Sequence, residues 1–179
     1  MKYSFKQLSV EIRGDLSTVP FNLMTFVKAY YFSPRFRVLL NHRLGKFFWS
    51  SSLKPIRFIG IMYKMILVGK RSCDISYNAR IGANLKLPHP IGIVIGDGVV
   101  IKNNVMIFQH VTLGSHGKKG EKLRYPTIET GVRIYAGAVI IGGVKVGENA
   151  VIGANTVVNV DVPSRATAVG NPCKILVKE

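Results

Sequence analysis

From Ile75 onward, aliphatic residues recur every six positions. They are Ile75, Ile81 and Leu87, then Ile95, Ile101, Ile107 and Leu113, then Ile128, Ile134, Ile140, Val146, Ile152 and Val158. A second small or aliphatic residue recurs four positions after members of this series: Val99, Val105, Val111, Val132, Ala138, Val144, Ala150 and Thr156. Glycine often follows the first aliphatic, as at Gly82, Gly96, Gly114, Gly147 and Gly153. A helical period of about 3.6 cannot generate a strict six. One short strand plus one turn can. The pattern predicts a parallel β-helix in which three hexads close a coil of about 18 residues and inward aliphatics stack into one column.

The repeat breaks twice. Leu87 to Ile95 spans eight positions, and the widened stretch reads Leu87-Pro88-His89-Pro90-Ile91-Gly92. Leu113 to Ile128 spans fifteen, and the extra chain from Ser115 to Tyr125 is polar and glycine-rich. That segment must leave the coil, so a protruding loop is expected over 115–126. Regularity tends to fail where function or strain intervenes, which makes both breaks candidate sites.

Residues 1–72 follow another rule. Asp15, Ser17 and Thr18 precede Pro20, which suits a helix start. Leu23, Phe26, Val27, Tyr30 and Tyr31 then recur at helical spacing. Ser33-Pro34 interrupts, Phe36 to Phe48 forms a second amphipathic stretch, Lys54-Pro55 interrupts again, and a third apolar stretch runs to about Gly69. The organisation expected is a helical basic region over 1–72 followed by a β-helix domain over 73–179.

Charge adds a partner class. The net charge is +16, and 13 of the 25 Lys and Arg lie in residues 1–72 against only Glu11 and Asp15. A basic, aromatic-rich surface suits a solvated helical face or peripheral contact with an anionic membrane. No zinc-finger, RNA-binding or basic-zipper pattern supports nucleic acid. The most apolar run, Ile56 to Gly69, contains Arg57 and Lys64 and falls short of the roughly 20 residues a spanning helix needs. The N-terminus is too mixed for a signal peptide, and Cys73 and Cys173 form neither a metal motif nor a disulfide framework, so a cytoplasmic setting is expected.

The hexads with LPHPIGIVIGDGVVIKNNVMIFQHVTLG, then GVRIYAGAVIIGGVKVGENAVIGANTVV and AVGNPCKIL, resemble the serine O-acetyltransferase branch of the hexapeptide-repeat acyltransferases. The resemblance covers about residues 70–179. It implies a left-handed parallel β-helix, a homotrimer, and acetyl-CoA bound in a cleft between subunits, with no metal. It also implies a catalytic histidine at His89 and its aspartate at Asp74. His89 would take the proton of an acceptor hydroxyl, and Asp74 would orient the imidazole. Gly114, Ala136 and Ala154 fall where the family packs against the pantetheine arm, and Lys118 and Lys174 are placed to meet phosphates, as is Lys119. His110, one coil from His89, is a candidate acceptor ligand. A zinc site would need three histidines at a spacing that His89, His110 and His116 do not have.

The likeness departs from its family at the acceptor. The family has an Asp before the catalytic histidine, where this chain has Pro88, and an Arg-His pair where it has Arg124-Tyr125. Arg124 and Tyr125 are therefore expected to meet a different acceptor. A short, basic chain of this kind is similar to the O-acetyltransferases of capsular and exopolysaccharide biosynthesis, which implies a sugar hydroxyl at the inner face of the plasma membrane. Serine O-acetyl transfer is the alternative, and a non-catalytic β-helix scaffold is the alternative of another class.

Overall fold

The computed structural model describes residues 3–16, 22–117 and 123–177. Among the described residues four helices come first: α1 (Phe5–Asp15), α2 (Leu23–Phe32), α3 (Pro34–Trp49) and α4 (Lys54–Arg71). Their starts are written locally. Ser4 and Gln7 form a capping box on α1, Asn22 and Thr25 form another on α2, and Ser33 caps α3 with Pro34 in its first turn. The sequence pattern singled out the stretches of α2, α3 and α4. It did not single out α1, whose amphipathic signal is diluted by Lys6, Gln7, Glu11 and Arg13. The start expected around Pro20 lies outside the described residues, and the cap on α2 is Asn22.

Among the described residues fourteen short strands follow, wound so that three sheets run along the coil. One stacks β1 (Cys73–Ile75), β3 (Ile93–Ile95), β6 (Thr112–Gly114), β9 (Val139–Ile141) and β12 (Val157–Val158). A second contains β2 (Arg80–Ile81), β4 (Val100–Ile101), β7 (Thr127–Ile128) and β10 (Lys145–Val146). The third contains β5 (Met106–Ile107), β8 (Arg133–Ile134), β11 (Val151–Ile152), β13 (Thr167–Val169) and β14 (Lys174–Leu176). Among the described residues every strand pairing is parallel except β13 with β14. This is a parallel β-helix, and all thirteen aliphatics of the six-residue series are buried, as are all eight of the second series.

Register explains both breaks. Ile95 pairs with Leu113 and Ile134 with Ile152, steps of 18 residues. Ile75 pairs with Ile95 and Ile81 with Ile101, steps of 20, so the extra two residues leave the coil in the turn that carries His89. Ile101 pairs with Ile128, a step of 27, so the longer excess lies between these two strands, and residues 118–122 of the loop expected there lie outside the described residues.

The helices close the open end of the coil. Val38, Leu39 and Leu67 join the same buried cluster as Ile75, Ile81 and Leu87. The first coil has carbonyls that no earlier coil can satisfy. Lys46 Nζ donates to Ala79 O at 2.8 Å, Arg43 Nη1 to Ile81 O at 3.0 Å, Arg43 Nη2 to Gly82 O at 3.0 Å, and Lys64 Nζ to Ile75 O at 2.9 Å. Part of the N-terminal basic excess therefore caps a sheet edge, which is where unpaired backbone groups are a liability.

Arg43 is fully buried and pairs with Asp15 at 3.2 Å and Glu11 at 2.7 Å. Burial pushes the Asp15 carboxyl up from its ordinary range, against the pull of the Arg43 guanidinium. Beside it, His42 is held neutral: burial, then the charges of Arg43, Lys46 and Lys64, set its pKa well below the usual histidine range.

Candidate active site

His89 stands in the widened turn, exposed, between exposed Pro88 and buried Pro90. The turn is pinned on both sides. Ile91 N–H donates to His89 O at 2.9 Å, and Gly92 N–H donates to Ser72 O at 2.7 Å. The imidazole lies 6.4 Å from the Phe108 ring, which stacks at 5.0 Å on Tyr135 one coil further on. An aromatic ladder therefore flanks the turn and gives the ring a surface to rest against.

Asp74 lies on β1 with its side chain outward, between buried Cys73 and Ile75. Its near neighbour touches the histidine turn, since Cys73 Sγ donates to Pro90 O at 3.3 Å. Burial pushes the Cys73 thiol up, an effect the Arg71 charge only partly offsets. The Asp74 carboxylate, however, is paired with Lys64 of α4 and lines a separate cleft of about 500 Å³ with Ser76, Tyr77 and Asp97. Among the described residues no hydrogen bond joins Asp74 to His89. The sequence spacing brings the two backbones together. The helical cap supplies a cation that sequence reasoning did not weigh.

His110 stands in a turn of the coil. Its φ is +57°, the left-handed corner that Gly92 and Gly137 occupy in adjacent coils and Asn155 in the next. A Cβ placed on Gly92 would fall 2.2 Å from His110 Nδ1, so the imidazole fills the space left by the missing side chain. Gly92 thus serves twice, for its φ of +66° and for this close approach. The one-coil spacing of His110 from the His89 turn holds, since Lys86 bridges to Met106.

The remaining candidates scatter. Tyr125 is half-buried, its ring laid on Gly96 and Gly98. Arg124 is exposed and folds over Gly143. Ala136 and Ala154 occupy equivalent turns one coil apart, with Asn155 N–H donating to Ala136 O at 2.9 Å. Gly114 ends β6, and a Cβ added there would meet nothing within 4 Å among the described residues, which leaves that face open to them. Small residues and open space fit the close passage of a slender ligand arm. Lys174 lies exposed on β14. Lys118 and Lys119 lie outside the described residues, and among the described residues no cluster of metal-ligating side chains occurs.

One cleft was not foreseen. His89 opens on a space of about 310 Å³ lined also by Pro34, Arg37 and Val38 of α3, Lys70 and Arg71 at the end of α4, and Pro88, Pro90 and Ile91. Nothing in the spacing of residues 34–71 announces this, because it depends on how α3 and α4 dock against the coil.

The comparisons with known proteins agree with this fold. Residues 75–109 match the hexapeptide repeat of succinyl-transferase, and residues 125–159 match the bacterial transferase hexapeptide (six repeats). A serine acetyltransferase of Buchnera aphidicola subsp. Acyrthosiphon pisum is 41% identical over 141 residues, covering 79% of this chain and 50% of that protein. Soybean serine acetyltransferase complexed with serine superposes with a TM-score of 0.80 at 36% identity, covering 94% of this chain and 69% of that one. A serine acetyltransferase in complex with CoA gives a TM-score of 0.79 at 30% identity, with 96% and 71% covered. The chain spans about half the length of the curated relatives it matches. With its coil register, its helical cap and this degree of identity over more than two thirds of the soybean chain, the chain belongs to the hexapeptide-repeat acyltransferase superfamily, in its serine O-acetyltransferase-like branch.

Proposed function

We propose that this chain is an acetyl-CoA-dependent O-acetyltransferase in which His89 is the general base. The observation that carries the reading is the exposed imidazole of His89 in the one turn where the coil is widened by two residues. His89 accepts the proton of an acceptor hydroxyl as that oxygen attacks the thioester carbonyl. The new C–O bond forms, the C–S bond breaks, and the proton passes to the departing thiolate, leaving an O-acetyl ester and CoA. The open face at Gly114 and the small turns at Ala136 and Ala154 are assigned to the pantetheine arm, and Lys174 to its phosphates. The shared cleft of a homotrimer completes the site.

For the acceptor, the relatives favour the serine hydroxyl over the glycan that the sequence suggested. A sugar hydroxyl is the second reading, supported by Pro88 beside His89 and by the inward packing of Tyr125. Thiol release from acetyl-CoA with L-serine in one set of wells and a panel of sugars and envelope glycan fragments in another separates them. Turnover with serine establishes the first, turnover only with a glycan establishes the second, and no thiol release with either overturns the enzyme reading in favour of a scaffold. Among the described residues no helix is long and apolar enough to cross a membrane. Peripheral contact is assigned to α4, which exposes Phe58, Met62 and Met65 on a basic helix.

A further inference from the structure

We infer that Lys64 is a positioning residue for acetyl transfer: it competes with His89 for the Asp74 carboxylate, so that helix α4 latches the pair apart. The inference rests on the acetyltransferase reading, in which Asp74 orients His89.

Three cations of the helical cap, Arg43, Lys46 and Lys64, donate to carbonyls of the first coil. Arg43 pairs with Glu11 and Asp15 of the cap itself. Among the described residues, Lys64 alone of the three pairs with a carboxylate of the coil, and that carboxylate is Asp74. Capping the Ile75 carbonyl, 2.9 Å away, takes a single N–H of the ammonium, so the bond to Asp74 is extra to that role. The lysine is held in place. Tyr77 Oη donates to Gly60 O of α4 at 2.9 Å, and Lys64 Nζ lies 5.9 Å from the centre of the Tyr77 ring. On the other side of the contest, no hydrogen bond among the described residues reaches the His89 imidazole, which rests beside Phe108.

Both members of an acid–histidine pair are therefore present, and each is turned elsewhere. The Cys73–Pro90 contact keeps their chain segments together, so what is contested is one side chain. The Lys64 side chain is 31% exposed and that of Asp74 56%, and a pair this open is weak and screened by salt. It holds the carboxylate at rest, and it yields when His89 becomes an imidazolium on taking the acceptor's proton, because a charged ring competes better for a carboxylate than a neutral one.

The experiment compares full chains of wild type, Lys64→Met, Asp74→Asn and the double variant. It reads kcat for thiol release from saturating acetyl-CoA, with L-serine and the sugar panel as acceptors. It also reads the imidazole nitrogen NMR shifts of His89, which report a ring N–H bonded to a carboxylate with or without turnover. Lys64→Met is expected to raise kcat about two- to fivefold, the change in occupancy that a weak exposed pair can impose, and to move the His89 shifts. Neither change is expected once Asp74 is Asn. Raising salt from about 0.1 M to about 1 M, where the Debye length falls from about 10 Å to about 3 Å, should move the His89 shifts of wild type and not those of Asp74→Asn, a reading that does not depend on how Lys64→Met folds. An unchanged or lower kcat in Lys64→Met, His89 shifts that ignore both the substitution and salt, or shifts that move equally in the Asp74→Asn background overturn the latch and leave Lys64 as a carbonyl cap. Asp74-dependent shifts with no thiol release from any acceptor leave the contest for Asp74 standing and remove the enzyme reading instead.

Discussion

Cys73 Sγ lies 3.3 Å from the Pro90 carbonyl oxygen, and this contact ties the strand that carries Asp74 to the turn that carries His89. The two candidate catalytic residues are therefore chain neighbours of a single buried contact, although the Asp74 carboxylate is turned to Lys64. His89→Ala is expected to lower kcat by about 10²–10⁴-fold, the usual worth of a general base. Its stability should change by less than about 0.5 kcal/mol, because the side chain is exposed. If Asp74 positions the imidazole as proposed for the family, Asp74→Asn is expected to lower kcat about tenfold or more. An unchanged kcat would assign Asp74 to the Lys64 pair alone.

Gly147 and Gly114 separate fold from ligand. A Cβ at Gly147 would lie 2.4 Å from Ser164 N and 2.8 Å from Pro163 C, and backbone cannot step aside cheaply. Gly147→Ala should destabilise by about 1–3 kcal/mol, read by denaturant unfolding. Gly114→Val meets open space and should unfold like wild type. It should raise the KM for acetyl-CoA if that face carries the pantetheine arm, and an unchanged KM would clear the arm from it.

Arg43 is the costliest single deletion expected. It is fully buried, paired with Asp15 and Glu11, and bonded to the Ile81 and Gly82 carbonyls. Arg43→Met should cost about 3–5 kcal/mol, because Asp15 is left as an uncompensated buried charge. Adding Asp15→Asn should recover part of that loss. Equal melting of the single and double variants would show that the lost carbonyl bonds, not the stranded charge, account for the damage.

His42 predicts an acid limit to stability. Its folded pKa is depressed from 6.5, chiefly by burial, so the folded chain binds fewer protons than the unfolded chain below that value. Stability is therefore present above about pH 6.5 and is lost as pH falls through the window beneath it. In His42→Phe that window should flatten. Parallel pH profiles of wild type and variant would assign the acid loss to other groups.

Assembly and surface contact are read in solution. If the proposed shared cleft holds, sedimentation should give the mass of three copies, and a monomer would overturn it. Binding to vesicles of anionic lipid should weaken steeply as salt rises and the Debye length falls toward about 3 Å at 1 M. Equal binding to neutral vesicles would remove the electrostatic account of α4.

The sequence by itself determined the coil. A six-residue period of aliphatics can be buried in one way, so inward positions from Ile75 to Val158, the 18-residue step and both departures from it followed from spacing alone. It also marked His89, because a break in a strict repeat is visible without coordinates. Tertiary structure decided what surrounds that break. Lys64 reaches Asp74, Arg71 and Lys70 reach the His89 cleft, and Tyr125 lies on Gly96 and Gly98 through docking of helices and loop onto the coil. Such contacts join segments with no shared period. Their partners are chosen by packing at the open end of the β-helix, where unpaired carbonyls demanded donors and drew Arg43, Lys46 and Lys64 out of what composition presents as a uniformly basic surface.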